Sequence, residues 1–282
     1  MKRVVLSILA AGFLMTTVCN GASVMTMTTS SDNVKIRLAG SGTVTIDWGD
    51  GSEIITSTLK EYKSRWWHKR EFSFKYANAS SRTITITGES ITHLGCNGNK
   101  NSGLDVSSLD VTNNPALTFL ECLSCQFTSL DVSNNPALRY LEIRFCNQLT
   151  SLDVSKNTKL SRLICQGTGL TSLDVSNNKA LTGLDCSMNH NLKNLDVSNN
   201  PALTRLSCAM TPLNDDTDAL NNLFRTLNSN AGKKIILVGR HLGKEVNCDE
   251  SIANLNGWTI ENVKIKKSRK DGRIRTFVPD IV

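Results

Sequence analysis

From Leu94 to Leu213 the order of apolar and polar positions repeats. The phrase Leu109-Asp-Val-Thr-Asn-Asn returns with leading leucines at Leu130, Leu152, Leu173 and Leu195, at separations of 21, 22, 21 and 22 residues. A second series fills the gaps: Leu120-Glu-Cys, Leu141-Glu-Ile, Leu163-Ile-Cys, Leu184-Asp-Cys and Leu206-Ser-Cys. Such self-similarity marks a solenoid, in which each unit buries its apolar side chains against the next. Both half-units fit the template L-x-x-L-x-(V/C/I)-x-x-N. Positions 4 and 6 then point into the coil from a short strand, while position 1 fills the bend. Position 9 is Asn114, Asn135, Asn157, Asn178 and Asn200 in the Asp-containing series. An amide there carries a donor and an acceptor for backbone groups at the bend, and stacked copies make a ladder.

The flanks have other periods. Val34–Leu38, Val44–Trp48, Phe72–Tyr76 and Thr83–Thr87 alternate as strands do. Beyond the repeat, Ala219, Leu220, Leu223, Phe224 and Leu227 fall on one helical face, with Asp215 and Asp216 placed favourably near its start. Residues 234–239 read as a strand and 251–260 as a short closing element. These ends act as caps that keep the coil from pairing with another chain. The resulting division is a signal peptide at 1–22, a β-rich N-terminal cap at 23–90, the repeat at 91–213, a helix-strand cap at 214–262 and a basic tail at 263–282. The fold class expected is mainly β, turning α/β at the C-terminal cap.

The repeat phrases resemble those of bacterial secreted and surface leucine-rich-repeat proteins with short nested repeats. The turn Trp48-Gly-Asp-Gly51 and the strands around Phe74-Lys-Tyr76 and Thr83–Thr87 resemble a PKD-type β-sandwich of extracellular proteins. The resemblance to the repeat family implies a recognition scaffold and is specific for fold. It does not choose a ligand, because one fold hosts many functions.

Composition narrows the setting. Lys2 and Arg3 precede an apolar run from Val4 to Val18, with small residues at Gly21 and Ala22, which reads as a secretory signal peptide. Cys19 is a candidate for lipidation, although Val18 is larger than such a processing site prefers. No later segment is long and apolar enough to span a bilayer. The formal charge of +7 falls to +5 without Lys2 and Arg3, and the excess gathers in seven basic residues between Lys264 and Arg275. In an exported chain this tail reads as a solvated end, so no nucleic-acid partner is expected.

Nine cysteines in an exported chain would ordinarily suggest disulfides. Cys122, Cys165, Cys186 and Cys208 instead occupy inward position 6, and Cys96 fits the same slot in an irregular first turn, so they read as small apolar core residues with free thiols. Cys122 and Cys125 form a C-x-x-C with no second pair in the sequence, so no metal is expected. Cys125 and Cys146 share position 9 in successive turns and are the first pair to test for a bridge. Asp110, Asp131, Asp153, Asp174 and Asp196 would stack as an outward acidic stripe, solvated and without the spacing of a calcium loop.

Catalysis finds no constellation. His68, His93, His190 and His241 are scattered, and no nucleophile motif or phosphate-binding loop occurs. No catalytic residue, cofactor or metal is assigned. The outward positions of the Cys-containing series differ from turn to turn, whereas those of the Asp series repeat one polar formula. A surface fitted to a ligand needs different side chains at different heights, which singles out Phe119, Glu121, Tyr140, Glu142, Arg144, Arg162, Ile164 and Arg205 as candidate ligand-binding residues. The expected function is non-enzymatic recognition of a protein ligand by an adhesin-like or scaffold monomer. The alternative is glycan capture through Trp66 and Trp67 in the basic, aromatic stretch 60–75.

Overall fold

The computed structural model describes residues 22–61, 70–97, 105–230, 234–238 and 248–262. The signal peptide, Cys19, Trp66, Trp67 and the basic tail lie outside them. Within them one sheet runs the length of the molecule. Its N-terminal part contains β1 (Ser23–Thr29), β2 (Asn33–Asp47), β3 (Ile55–Thr58), β4 (Arg70–Lys75), β5 (Arg82–Asn97) and β6 (Val106–Asn113). These pair antiparallel, β2 with β3, β4 and β5, and β1 with β5 and β6. Trp48 is fully buried here, stacked on Phe74 at 5.0 Å, and the Tyr76 hydroxyl donates to the Trp48 carbonyl at 2.7 Å.

The second half of β5 turns this layer into the repeat. His93–Asn97 pair in parallel with β7 (Phe119–Leu123), so residue 90 falls inside a continuous strand. From there β8 (Tyr140–Arg144), β9 (Arg162–Ile164), β10 (Gly183–Asp185) and β11 (Arg205–Ser207) add in chain order, each parallel to the last. Leu94, Leu120, Leu141, Leu163, Leu184 and Leu206 sit opposite one another in register and are all buried. The order ends with β12 (Lys234–Val238) and β13 (Trp258–Asn262), also parallel. Between β11 and β12 lie a 3-10 turn (Pro212–Asp215) and helix α1 (Thr217–Thr226), and α2 (Glu250–Leu255) precedes β13. Asp216 caps α1 by accepting from the amides of Asp218 and Ala219, which accounts for the second of the two aspartates at its start.

The Asp half-units differ from the expected strand. Beyond β6 their buried Leu and Val alternate with exposed Asp as the template requires, yet among the described residues they form no ladder. Each Asp carboxylate accepts from the amide two residues on, Asp131 from Ser133 at 2.8 Å, with the same bond in the other copies. This Asx bond bends the backbone locally. It does not by itself exclude a strand, since Asp110 makes it inside β6, where β1 lies alongside as a partner.

The buried asparagines complete the turn. Asn157 Nδ2 donates to the carbonyls of Val132 and Asn135 in the preceding turn at 2.9 and 3.0 Å, and Asn135, Asn178 and Asn200 repeat this one turn apart. Only the donor side works in this way, since the Oδ1 atoms have no hydrogen-bond partner among the described residues.

Asn157→Ala removes the second donor from the carbonyls of Val132 and Asn135, which keep the amides of Asn135 and Leu138, and should cost about 2 kcal/mol. The exposed Asn134→Ala should change stability by less than about 0.5 kcal/mol. Urea unfolding of the two variants measures the difference, and equal losses would contradict the ladder.

Candidate functional site on the sheet face

Parallel pairing brings the variable positions of the Cys series together on the outward face of the sheet. Position 3 forms a row of His93, Phe119, Tyr140, Arg162, Gly183 and Arg205. Its first three members stack. His93 lies 5.4 Å from Phe119 at 20° between planes, and Phe119 lies 4.2 Å from Tyr140 at 5°. Such pairs add about 0.5–1.5 kcal/mol each beyond area burial, and they hold a flat aromatic surface in one conformation.

Position 5 forms the next row, Gly95, Glu121, Glu142, Ile164, Asp185 and Ser207. Glu142 is held from two sides, accepting the Tyr140 hydroxyl at 2.5 Å and facing Arg144 Nε at 2.6 Å. Burial and the neighbouring Glu142 carboxylate push the Tyr140 phenol well above its usual range, so it stays a donor. Glu121 faces Arg37 of β2 at 3.9 Å, and Arg144 Nη1 donates to Gln166 at 3.3 Å.

All eight candidate residues therefore fall on one face, but less openly than expected. Phe119, Glu121, Tyr140, Glu142, Arg144 and Arg205 are half-buried, whereas Arg162 and Ile164 are only 8 % and 3 % exposed. Strands about 4.8 Å apart force outward side chains to lie on one another. A Cβ at Gly183 would sit 3.6 Å from Arg162 Nε and 4.0 Å from Arg205 Nε, so this glycine leaves the two arginines room. Sequence reasoning did not include His93, Arg37, Gln166 and Asp185. His93 was legible, because Leu94 and Cys96 already occupied positions 4 and 6 of the template. Arg37 was not, because it comes from another part of the sheet.

Inside the coil, Cys96, Cys122, Cys165, Cys186 and Cys208 are fully buried at position 6, as their spacing predicts. Burial pushes the Cys208 thiol to about 12 and the Cys165 and Cys186 thiols well above their usual value. Cys186 donates to the Ser207 carbonyl at 3.3 Å and Cys165 to that of Asp185 at 3.5 Å. Cys125 and Cys146 are equally buried, and all are free thiols. Cys96 and Cys122 bring their sulfurs to 3.4 Å, and Cys125 joins them so that all three Sγ atoms lie within 4.8 Å of one another. Hydrogen bonds from Cys122 and Cys125 pull the Cys96 thiol down to about 5, while the same contacts raise Cys125. The aspartates stay outside and exposed. Hydrogen bonds from Ser133, Ser155 and Ser176 hold Asp131, Asp153 and Asp174 below their usual value, and these local turns account for the acidic stripe.

This geometry defines a mainly β coil of 21- and 22-residue repeats with inward leucines, one patterned face and a column of interior cysteines. No family model matches the chain, and no curated protein does. Among solved structures it is similar to the functional domain of InlJ from Listeria monocytogenes, which includes a cysteine ladder. There the identity is 31% and the TM-score 0.40, over 53% of this chain and 32% of that one. It is also similar to an internalin, InlF, from Listeria monocytogenes strain 4b F2365, at 22% identity and a TM-score of 0.42, over 60% and 46% of the two chains. The chain thus spans less than half the length of either. No helix among the described residues is long and apolar enough to cross a membrane.

In the native protein, Cys165, Cys186 and Cys208 should resist alkylation and react fully only after denaturation, while half-exposed Cys248 should label first. Peptide mapping after timed iodoacetamide treatment reads the order. Early labelling of the three buried thiols would break the register.

Proposed function

We propose that the chain is a non-enzymatic recognition module that binds a protein ligand through the outward face of its parallel sheet. The observation that carries this reading is the stacked row of His93, Phe119 and Tyr140 beside Arg162 and Arg205. Rigid aromatic side chains and arginines are the types that dominate binding energy at protein interfaces. Here they are ordered before any ligand arrives, which lowers the entropy cost of binding. The rest of the chain supports that face: residues 23–90 serve as a PKD-like N-terminal cap, 91–213 as the repeat proper and 214–262 as the C-terminal cap. Residues 1–22 direct export, which places the module outside the cell or on its surface as a monomer.

A pull-down of extracellular proteins with the full chain, followed by affinity measurement on the captured protein, tests the reading. Tyr140→Ala combined with Arg205→Ala should weaken binding by about 2 kcal/mol or more, roughly thirtyfold. Asp153→Asn with Asp174→Asn, on the repeated polar formula, should leave it nearly unchanged. Equal losses from the two pairs, or capture of glycans alone on an array, would overturn the assignment.

A further inference from the structure

The cysteine column is not uniform. In the turns of Cys165, Cys186 and Cys208, position 9 holds Thr168, Asn189 and Thr211, which hydrogen-bond buried carbonyls. Asn189 Nδ2 donates to Cys165 and Cys186 at 2.8 Å, Thr168 to Cys165 at 3.0 Å and Thr211 to Cys208 at 2.8 Å. In the two earlier turns that position is Cys125 and Cys146. Their thiols reach the corresponding carbonyls of Cys96 and Cys122 only at 3.9 Å, contacts weaker than those they replace. A core that needs only a small apolar residue explains cysteine at position 6. It does not explain giving up a good donor at position 9 in two successive turns.

What these turns gain is convergence. Cys122-x-x-Cys125 stands alone in the sequence, but the coil sets Cys96 of the preceding turn against it, and the Cys125 amide donates to Cys146 Sγ of the next turn at 3.3 Å. We infer that Cys96, Cys122 and Cys125 hold one divalent ion of the zinc class through three thiolates, and that Cys146, whose sulfur stands outside the 4.8 Å group but against the Cys125 amide, turns in as the fourth ligand. A tetrahedral ion with bonds of about 2.3 Å holds its sulfurs about 3.8 Å apart. The mutual spacing of Cys96, Cys122 and Cys125 brackets that value, with 3.4 Å between Cys96 and Cys122 and 4.8 Å as the outer limit. All four residues are fully buried, which suits a structural site with no open position. Binding releases the thiol protons to solvent, and the Cys125 amide that points at Cys146 offsets part of the negative charge left on sulfur.

Cobalt(II) added to the reduced full-length chain under anaerobic conditions tests the site. One equivalent should produce a thiolate-to-cobalt charge-transfer absorption that zinc(II) abolishes, and zinc(II) should raise the thermal unfolding midpoint by several degrees. Cys125→Thr with Cys146→Thr installs the residue that Thr168 and Thr211 supply at this position in later turns, so it keeps the fold, which circular dichroism checks. It should lose both the absorption and the zinc-dependent shift. Cys186→Ala, in the uniform part of the column, should keep both. Absence of the absorption in the parent chain, its persistence in the threonine variant, or mass mapping that finds two of the four cysteines already joined as a disulfide would overturn the proposal.

Discussion

Each turn of this coil brings buried backbone carbonyls to its bends, and every other feature depends on how they are satisfied. An unpaired buried carbonyl costs about 1–3 kcal/mol, and a repeat multiplies that cost by the number of turns. The Asp half-unit meets it twice, with the amides of Asn135 and Leu138 inside the bend and with an asparagine that reaches back one turn, Asn157 to Val132 and Asn135, so that each unit stabilises its predecessor. The spacing of 21 or 22 residues follows from this bond, because the amide must arrive at the same bend every time. The Cys half-unit meets the same need with a mixed set, Thr168, Asn189 and Thr211, and relaxes it at Cys125 and Cys146.

The two halves of each turn consequently have different outer surfaces. In the Asp half, the Asx turns of Asp131, Asp153 and Asp174 tie up the outward side chain, which leaves one polar formula and little freedom to vary. In the Cys half, the backbone is satisfied by its parallel neighbours, and the outward side chains are available for other contacts. They use that freedom to stack, as Phe119 does on Tyr140, or to pair, as Glu142 does with Tyr140 and Arg144. A varied face and a uniform polar face thus arise from one repeat whose two halves differ in backbone hydrogen bonding.

The end caps rest on the same sheet. β5 carries the N-terminal layer directly into the first parallel pair, and β12 and β13 continue the pairing after the repeat has ended. Lys234 in β12 is buried at 2 % exposure, with its ammonium donating to the carbonyls of Asn228 and Asn256. A cation in that place closes the coil by the same means as the asparagines, satisfying carbonyls that no further turn would reach.

The repeat, its inward leucines, the position-6 cysteines and the helix over Ala219–Leu227 were legible in the sequence, because each rests on a period or a cap that neighbouring residues determine among themselves. So were the rows of the candidate face, since a register of 21 or 22 residues dictates which positions meet. Tertiary structure alone decided the rest. Among the described residues the Asp half-units beyond β6 form no ladder, whereas Asp110 has β1 beside it, a difference that the alternation of side chains does not report. Arg162 and Ile164 proved buried, because stacking between strands about 4.8 Å apart closes over outward positions. Arg37 met Glu121 across more than eighty residues of chain, and Cys96 and Cys146 met an apparently isolated C-x-x-C, because lateral contact between turns brings together residues that no local spacing connects.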